Sequence, residues 1–143
     1  MSRIISDLAQ TSRCCAHYRS RRLEAYGLNV RQARLLMEVC ATPGVSQDTL
    51  SRRLCIEKSV VARTMASLEE GGYVERPTCQ KDKRVIRLHP TQKALELQPR
   101  LQELWAECEL FLAEEMSEEV VAMLERLLEQ MKLRAAKWLE AEK

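Results

Sequence analysis

Eight residues of this chain interrupt regular backbone, four glycines and four prolines, and seven of the eight fall between Gly27 and Pro90. Glycine adopts the left-handed backbone that ends helices, and proline withholds a hydrogen-bond donor, so tight turns are confined to the middle of the chain. Both flanks are left as long runs. Ile4 to Tyr26 holds no breaker and Gly27 follows as a stop, which predicts one opening helix. After Thr91, a natural cap, a second long helix is expected from Gln92 to Met116, kinked at Pro99, and Ser117 caps a last one. At 31% charged, 45% hydrophobic and only 4% aromatic residues, the composition favours helix formers and a mainly α fold class.

The middle segment reads as smaller pieces. Asn29 caps a helix in which Ala33, Leu36, Met37 and Cys40 recur at helical spacing until Thr42-Pro43-Gly44. Ser46 caps a short third helix with Leu50 and Leu54 facing inward, and Cys55-Ile56 connects it to a fourth that begins near Glu57. In that fourth helix Val61, Met65 and Leu68 form the buried stripe, Ser59, Val60, Arg63 and Ser67 face outward, and Gly71-Gly72 ends it. Two short helices joined by a turn make a helix-turn-helix candidate. Tyr73–Arg76 and Arg84–His89 then alternate with period two around a polar turn, the pattern of an antiparallel hairpin. The expected architecture is therefore α+β: a winged helix-turn-helix lobe over residues 29–91, with helices in 1–28 and 92–143 forming a dimerisation region. Those outer helices carry more apolar surface than the lobe can cover, which points to a second subunit.

Charge is unevenly spread. Residues 1–100 carry 18 Lys/Arg against 10 Asp/Glu and residues 101–143 carry 5 against 11, a surplus of +8 followed by −6. A cationic body suggests an anionic partner. The hairpin segment RPTCQKDKRVIRL concentrates Lys81, Lys83, Arg84 and Arg87 around one acid, Asp82. A recognition helix in the major groove with a cationic hairpin beside it is the arrangement of a duplex-DNA reader. Small Ser59 and Ser67 permit close approach, and the planar fork of Arg63 suits a guanine edge or a phosphate. The competing class is a helical dimer whose winged helix binds another protein.

Over residues 44–94 the sequence resembles the MarR family of winged-helix regulators, with the helical arms agreeing in length and order. Arg76, Asp82, Arg84 and Thr91 match the family's wing and helix-start pattern, while Pro90 and Ala94 stand where the pattern has Leu and Gly. The resemblance implies that Arg84 reaches the minor groove, that Asp82 orients such arginines, and that Ser59, Val60 and Arg63 serve recognition. It further implies a homodimer and a palindromic operator with half-sites about 10 bp apart. The implied role is a transcriptional regulator, a repressor released by a small effector.

The input signal is open between readings. The family takes small aromatic or anionic ligands between its dimer arms and the lobe, with His17, Tyr18, Arg21, Met37 and Cys40 as candidate contacts here. Cys14, with Tyr18 one turn on and Arg13 and Arg19 nearby, resembles the sensing cysteine of peroxide-responsive members. The alternatives are that Cys15 packs at the dimer interface and Cys14 is incidental, or that Cys14 and His17 begin a zinc site lacking identifiable further ligands. Six cysteines without repeated spacing point to free thiols rather than a disulfide framework. Two histidines, no Gly-rich phosphate loop, no paired acid with a metal spacing and no Ser/His/Asp set close together argue against an enzyme, and no cofactor or metal is expected. No run approaches the roughly 18 apolar residues of a membrane span, and Met1 to Asp7 lacks a signal-peptide core, so a cytoplasmic location is expected.

Overall fold

A computed structural model describes residues 2–77, 81 and 84–142. It divides into two units, Met1–Trp105 and Ala106–Lys143.

In the first unit, α1 (Ile4–Leu23) tightens into a 3-10 turn at Glu24–Tyr26, so the expected single helix changes type in its last turn. Gly27 ends it at φ 66°, and the Leu28 amide donates back to the Leu23 carbonyl at 3.3 Å. Only Leu23 of α1 is buried. α2 (Val30–Ala41) opens with a reciprocal cap: the Asn29 side chain accepts from the Gln32 amide, and the Gln32 side chain accepts from the Asn29 amide, both at 2.8 Å.

Ser46 caps α3 (Gln47–Leu54) by accepting from the Thr49 amide at 3.0 Å. The turn to α4 (Lys58–Glu70) puts Cys55 at φ 53°, left-handed backbone for a residue with a Cβ. Ser51 supports this turn by donating its hydroxyl to the Ile56 carbonyl at 2.5 Å. Val61, Met65 and Leu68 of α4 are buried, the expected stripe. Gly72, at φ 78°, supplies the left-handed residue at the end of α4, while Gly71 keeps right-handed backbone. The Tyr73 amide reaches the Leu68 carbonyl and the Gly72 amide the Glu69 carbonyl, closing the helix on itself, with Tyr73 and Leu68 both buried.

The sheet has three short strands, β1 (Val45–Ser46), β2 (Val74–Glu75) and β3 (Arg87–Pro90), in the order β1-β3-β2. Both pairings are antiparallel, with Val45 opposite Leu88 and Glu75 opposite His89. The hairpin strands are shorter than the alternation suggested, and β1 adds a third that two residues could not announce by period. Leu88 points into the core while Arg87 and His89 face solvent. The core joins Leu36 and Val39 of α2, Leu50 of α3, the α4 stripe, Leu88, and Ala94, Leu97, Leu101 and Leu104 of α5 (Gln92–Leu112). Thr91 locks the start of α5: its hydroxyl donates to the Gly72 carbonyl at 2.7 Å and accepts from the Ala94 amide at 3.3 Å.

Helix α5 runs through Pro99 and ends at Leu112, earlier than the Met116 expected. Residues 113–116 form the turn that lets Ser117 act as the next cap, accepting from the Val120 amide at 3.2 Å. α6 (Glu118–Ala141) belongs to the second unit and has no buried residue. Among the described residues no helix is long and apolar enough to cross a membrane.

Candidate nucleic-acid interface

Burying Val61, Met65 and Leu68 fixes which side of α4 faces away from the lobe. Ser59, Arg63 and Ser67 are exposed on that side and Val60 is half-buried. Ser59, Arg63 and Ser67 recur every four residues and so form one row along the helix. The preceding helix is held in place by Glu38 of α2, a largely buried carboxylate that takes Arg34 at 2.5 Å and reaches across to Arg53 of α3 at 3.5 Å. Lys58 at the start of α4 meets Asp48 of α3 at 3.4 Å, but both side chains are mostly in water, so this pair contributes little.

The hairpin base lies directly after α4. Lys81, Arg84 and Arg87 are exposed, and Arg87 also donates to the Gly44 carbonyl at 3.4 Å. Asp82, Lys83 and Cys79 lie outside the described residues. Arg76 has two partners among the described residues: Nη2 is 3.3 Å from a Glu69 carboxylate oxygen on α4, and Nη1 donates to the Gln47 side chain on α3 at 3.4 Å. The arginine therefore ties the first strand of the hairpin to both helices of the helix-turn-helix.

Two clefts flank the start of α2. One, of about 330 Å³, lies between α2 and α4 and is lined by Asn29, Arg31, Gln32, Val60, Arg63 and Ser67 among others. The other, of about 450 Å³, lies between α1 and α2, where Arg13 and His17 face Asn29, Val30 and Arg31. Of the effector candidates read from sequence, His17 lines this second cleft. Tyr18 instead carries the Arg22 guanidinium 3.5 Å from its ring centre, and Arg21 is exposed on α1. Met37 packs against the core and Cys40 lies within it, where burial pushes the thiol pKa up. Among the described residues, His17 is the one of these five that lines either cleft.

Cys14 is exposed and Cys15 half-buried; Cys40 and Cys108 are buried and Cys55 is exposed, all as free thiols. Arg19, near Cys14 in sequence, stacks its guanidinium 4.2 Å from the centre of the Trp105 ring.

Sequence reasoning missed Gln32 and Arg31. Asn29 alone suffices for a cap, and Gln32 three residues on completes the two-way cap, a legible signal. Its amide also donates to Ser67 on α4 at 2.7 Å, and nothing local in the sequence marks that contact.

Residues 26–85 match the MarR family, as its sequence profile describes it. The uncharacterized HTH-type transcriptional regulator YybA of Bacillus subtilis (strain 168) is 26% identical over 66 residues, 46% of this chain and 44% of YybA, so the chain spans less than half the length of that relative. A MarR transcriptional regulator from Methanosarcina mazei Go1 superposes with a TM-score of 0.88 at 28% identity, covering 94% of this chain and 96% of that one. A protein from Listeria monocytogenes, solved in complex with a 26mer DNA, shares the fold with a TM-score of 0.93 at 22% identity, covering 99% of this chain and 95% of that one. The matched segment runs from the end of the opening helix through the helix-turn-helix into the hairpin, and over it the chain is similar to the MarR family.

Proposed function

We propose that this protein is a homodimeric DNA-binding transcriptional regulator, a repressor, whose α4 enters the major groove of a palindromic operator. The observation that carries this reading is the exposed row of Ser59 and Arg63 on a helix seated by Val61, Met65 and Leu68, with the cationic hairpin following at once. The Listeria monocytogenes protein of the same fold, which holds DNA, supports it. Ser59, Val60 and Arg63 serve base and phosphate contact. Lys81, Lys83, Arg84 and Arg87 carry the hairpin onto the neighbouring backbone, with Arg84 in the minor groove and Asp82 orienting it.

The second copy covers the apolar side chains left in water by one chain. Ile4 and Ile5 of α1, Phe111 of α5 and Trp138 of α6 are each at least half exposed. The effector is a small anion held in the cleft between α1 and α2, where Arg13, His17 and Arg31 supply the cationic and donor groups. Its binding changes the spacing of the two α4 helices, and operator affinity falls when that spacing no longer matches the groove repeat.

Titration against operator DNA at rising salt tests the reading. Affinity should fall steeply as counterion release loses its advantage, and Arg84→Ala should weaken binding by about 1–3 kcal/mol at matched salt. Salt-independent association with a protein instead of DNA would favour the interaction-module reading.

A further inference from the structure

Gln32 has both ends of its side-chain amide committed. Its oxygen accepts from the Asn29 backbone at 2.8 Å, closing the cap of α2, and its nitrogen donates to the Ser67 hydroxyl on α4 at 2.7 Å. The capping half fixes the side-chain rotamer, so the donor half stands at a set position relative to α2. Ser67 is eight residues beyond Ser59 and four beyond Arg63, at the far end of the row assigned to DNA. On this edge α2 and α4 do not close against each other, because the cleft of about 330 Å³ lies there, lined in part by Gln32, Val60, Arg63 and Ser67. The buried stripe of Val61, Met65 and Leu68 holds α4 to the lobe, but apolar contact has no direction, whereas a hydrogen bond does.

We infer that Gln32 is a positioning residue for DNA recognition, a strut that sets the rotation of α4 about its own axis and hence where Arg63 points. The inference rests on α4 being the recognition helix. Under it Ser67 is the anchor of the strut and does not itself touch DNA. The effect should therefore appear in discrimination between sequences more than in charge-driven attraction, because a rotated helix still presents its cations but misaligns their hydrogen bonds to base edges.

The test uses the full-length protein and two duplexes of equal length: one enriched by the wild type from a randomised pool, and a scrambled control. Ser67→Ala, Gln32→Leu and the double variant are compared at one salt concentration. Each single variant should bind the enriched duplex about tenfold more weakly, the scale of a contact-pair coupling, with affinity for the scrambled duplex within about twofold of wild type. The double variant should lose no more than the weaker single one. Ser67→Ala leaves the cap of α2 intact, so it keeps the test informative if Gln32→Leu fails to fold. Additive losses would overturn the inference by showing that Ser67 contacts DNA directly, and so would single variants that discriminate as the wild type does. A wild type that enriches no duplex would overturn the DNA reading and this inference together, a result distinct from the other two.

Discussion

In the unit that ends at Trp105, Leu36, Leu50, Met65, Leu88 and Leu101 are sealed from water, drawn from helices and a strand far apart in sequence. In α6, which is 24 residues long, no residue is buried, and Leu124, Leu127, Leu133 and Trp138 are between 41% and 74% exposed. Both regions have well-formed helices with side-chain caps, Asn29 and Ser46 in one and Ser117 in the other. The difference is therefore not in local propensity. A cap satisfies one orphan amide at a helix start, but most of a helix's stability comes from covering its apolar face. The first region covers the apolar faces of α2, α3 and α4 by itself and leaves Ile4 and Ile5 of α1 in water; α6 buries no residue of its apolar face. That contrast is the structural side of the proposed dimer.

The comparison can be broken most forcefully at the core. Leu36→Ala, at a fully buried position, should cost about 2–5 kcal/mol of unfolding free energy. Denaturant titration measures it, and a loss under 1 kcal/mol would mean that the first unit is not held by this core. Leu127→Glu on α6 should act differently. Placing a charge on the exposed apolar face should weaken self-association by about 2 kcal/mol, the scale of burying one leucine, and leave α-helical circular dichroism at high protein concentration largely intact. Sedimentation equilibrium reads this, and an unchanged association constant would remove α6 from the interface.

Smaller effects sharpen the local side of the contrast. Ser46→Ala removes the acceptor for the Thr49 amide and should cost about 1 kcal/mol in chemical denaturation. Smallest is a kinetic distinction among thiols. Cys14 and Cys55 should alkylate readily near neutral pH, while Cys40 reacts only on unfolding, because burial both blocks access and holds its pKa above the ordinary thiol value. Mass mapping of a timed iodoacetamide reaction checks the order. Early labelling of Cys40 would show that the core opens locally.

The same division separates what could be read in advance from what could not. The caps at Asn29, Ser46, Thr91 and Ser117 and the buried stripe of α4 depend on residues three or four apart, and all were legible. The outward position of Ser59 and Arg63 followed from that stripe. Periodicity likewise puts Met37 and Cys40 on the apolar face of α2, whereas the cleft that His17 shares with Arg13 and Arg31 of a different helix is visible only in the packing.

What the chain determines by itself is thus its helices, their ends and their apolar faces, because these arise from interactions within one or two turns. Tertiary structure alone decided that Val45–Ser46 joins the hairpin as a third strand, that Arg76 turns to Glu69 and Gln47, and that Gln32 reaches Ser67, 35 residues away. Each of those pairings brings together groups that no periodicity links. They form because the same burial that hides Leu36, Met65 and Leu88 carries their polar neighbours within hydrogen-bond reach.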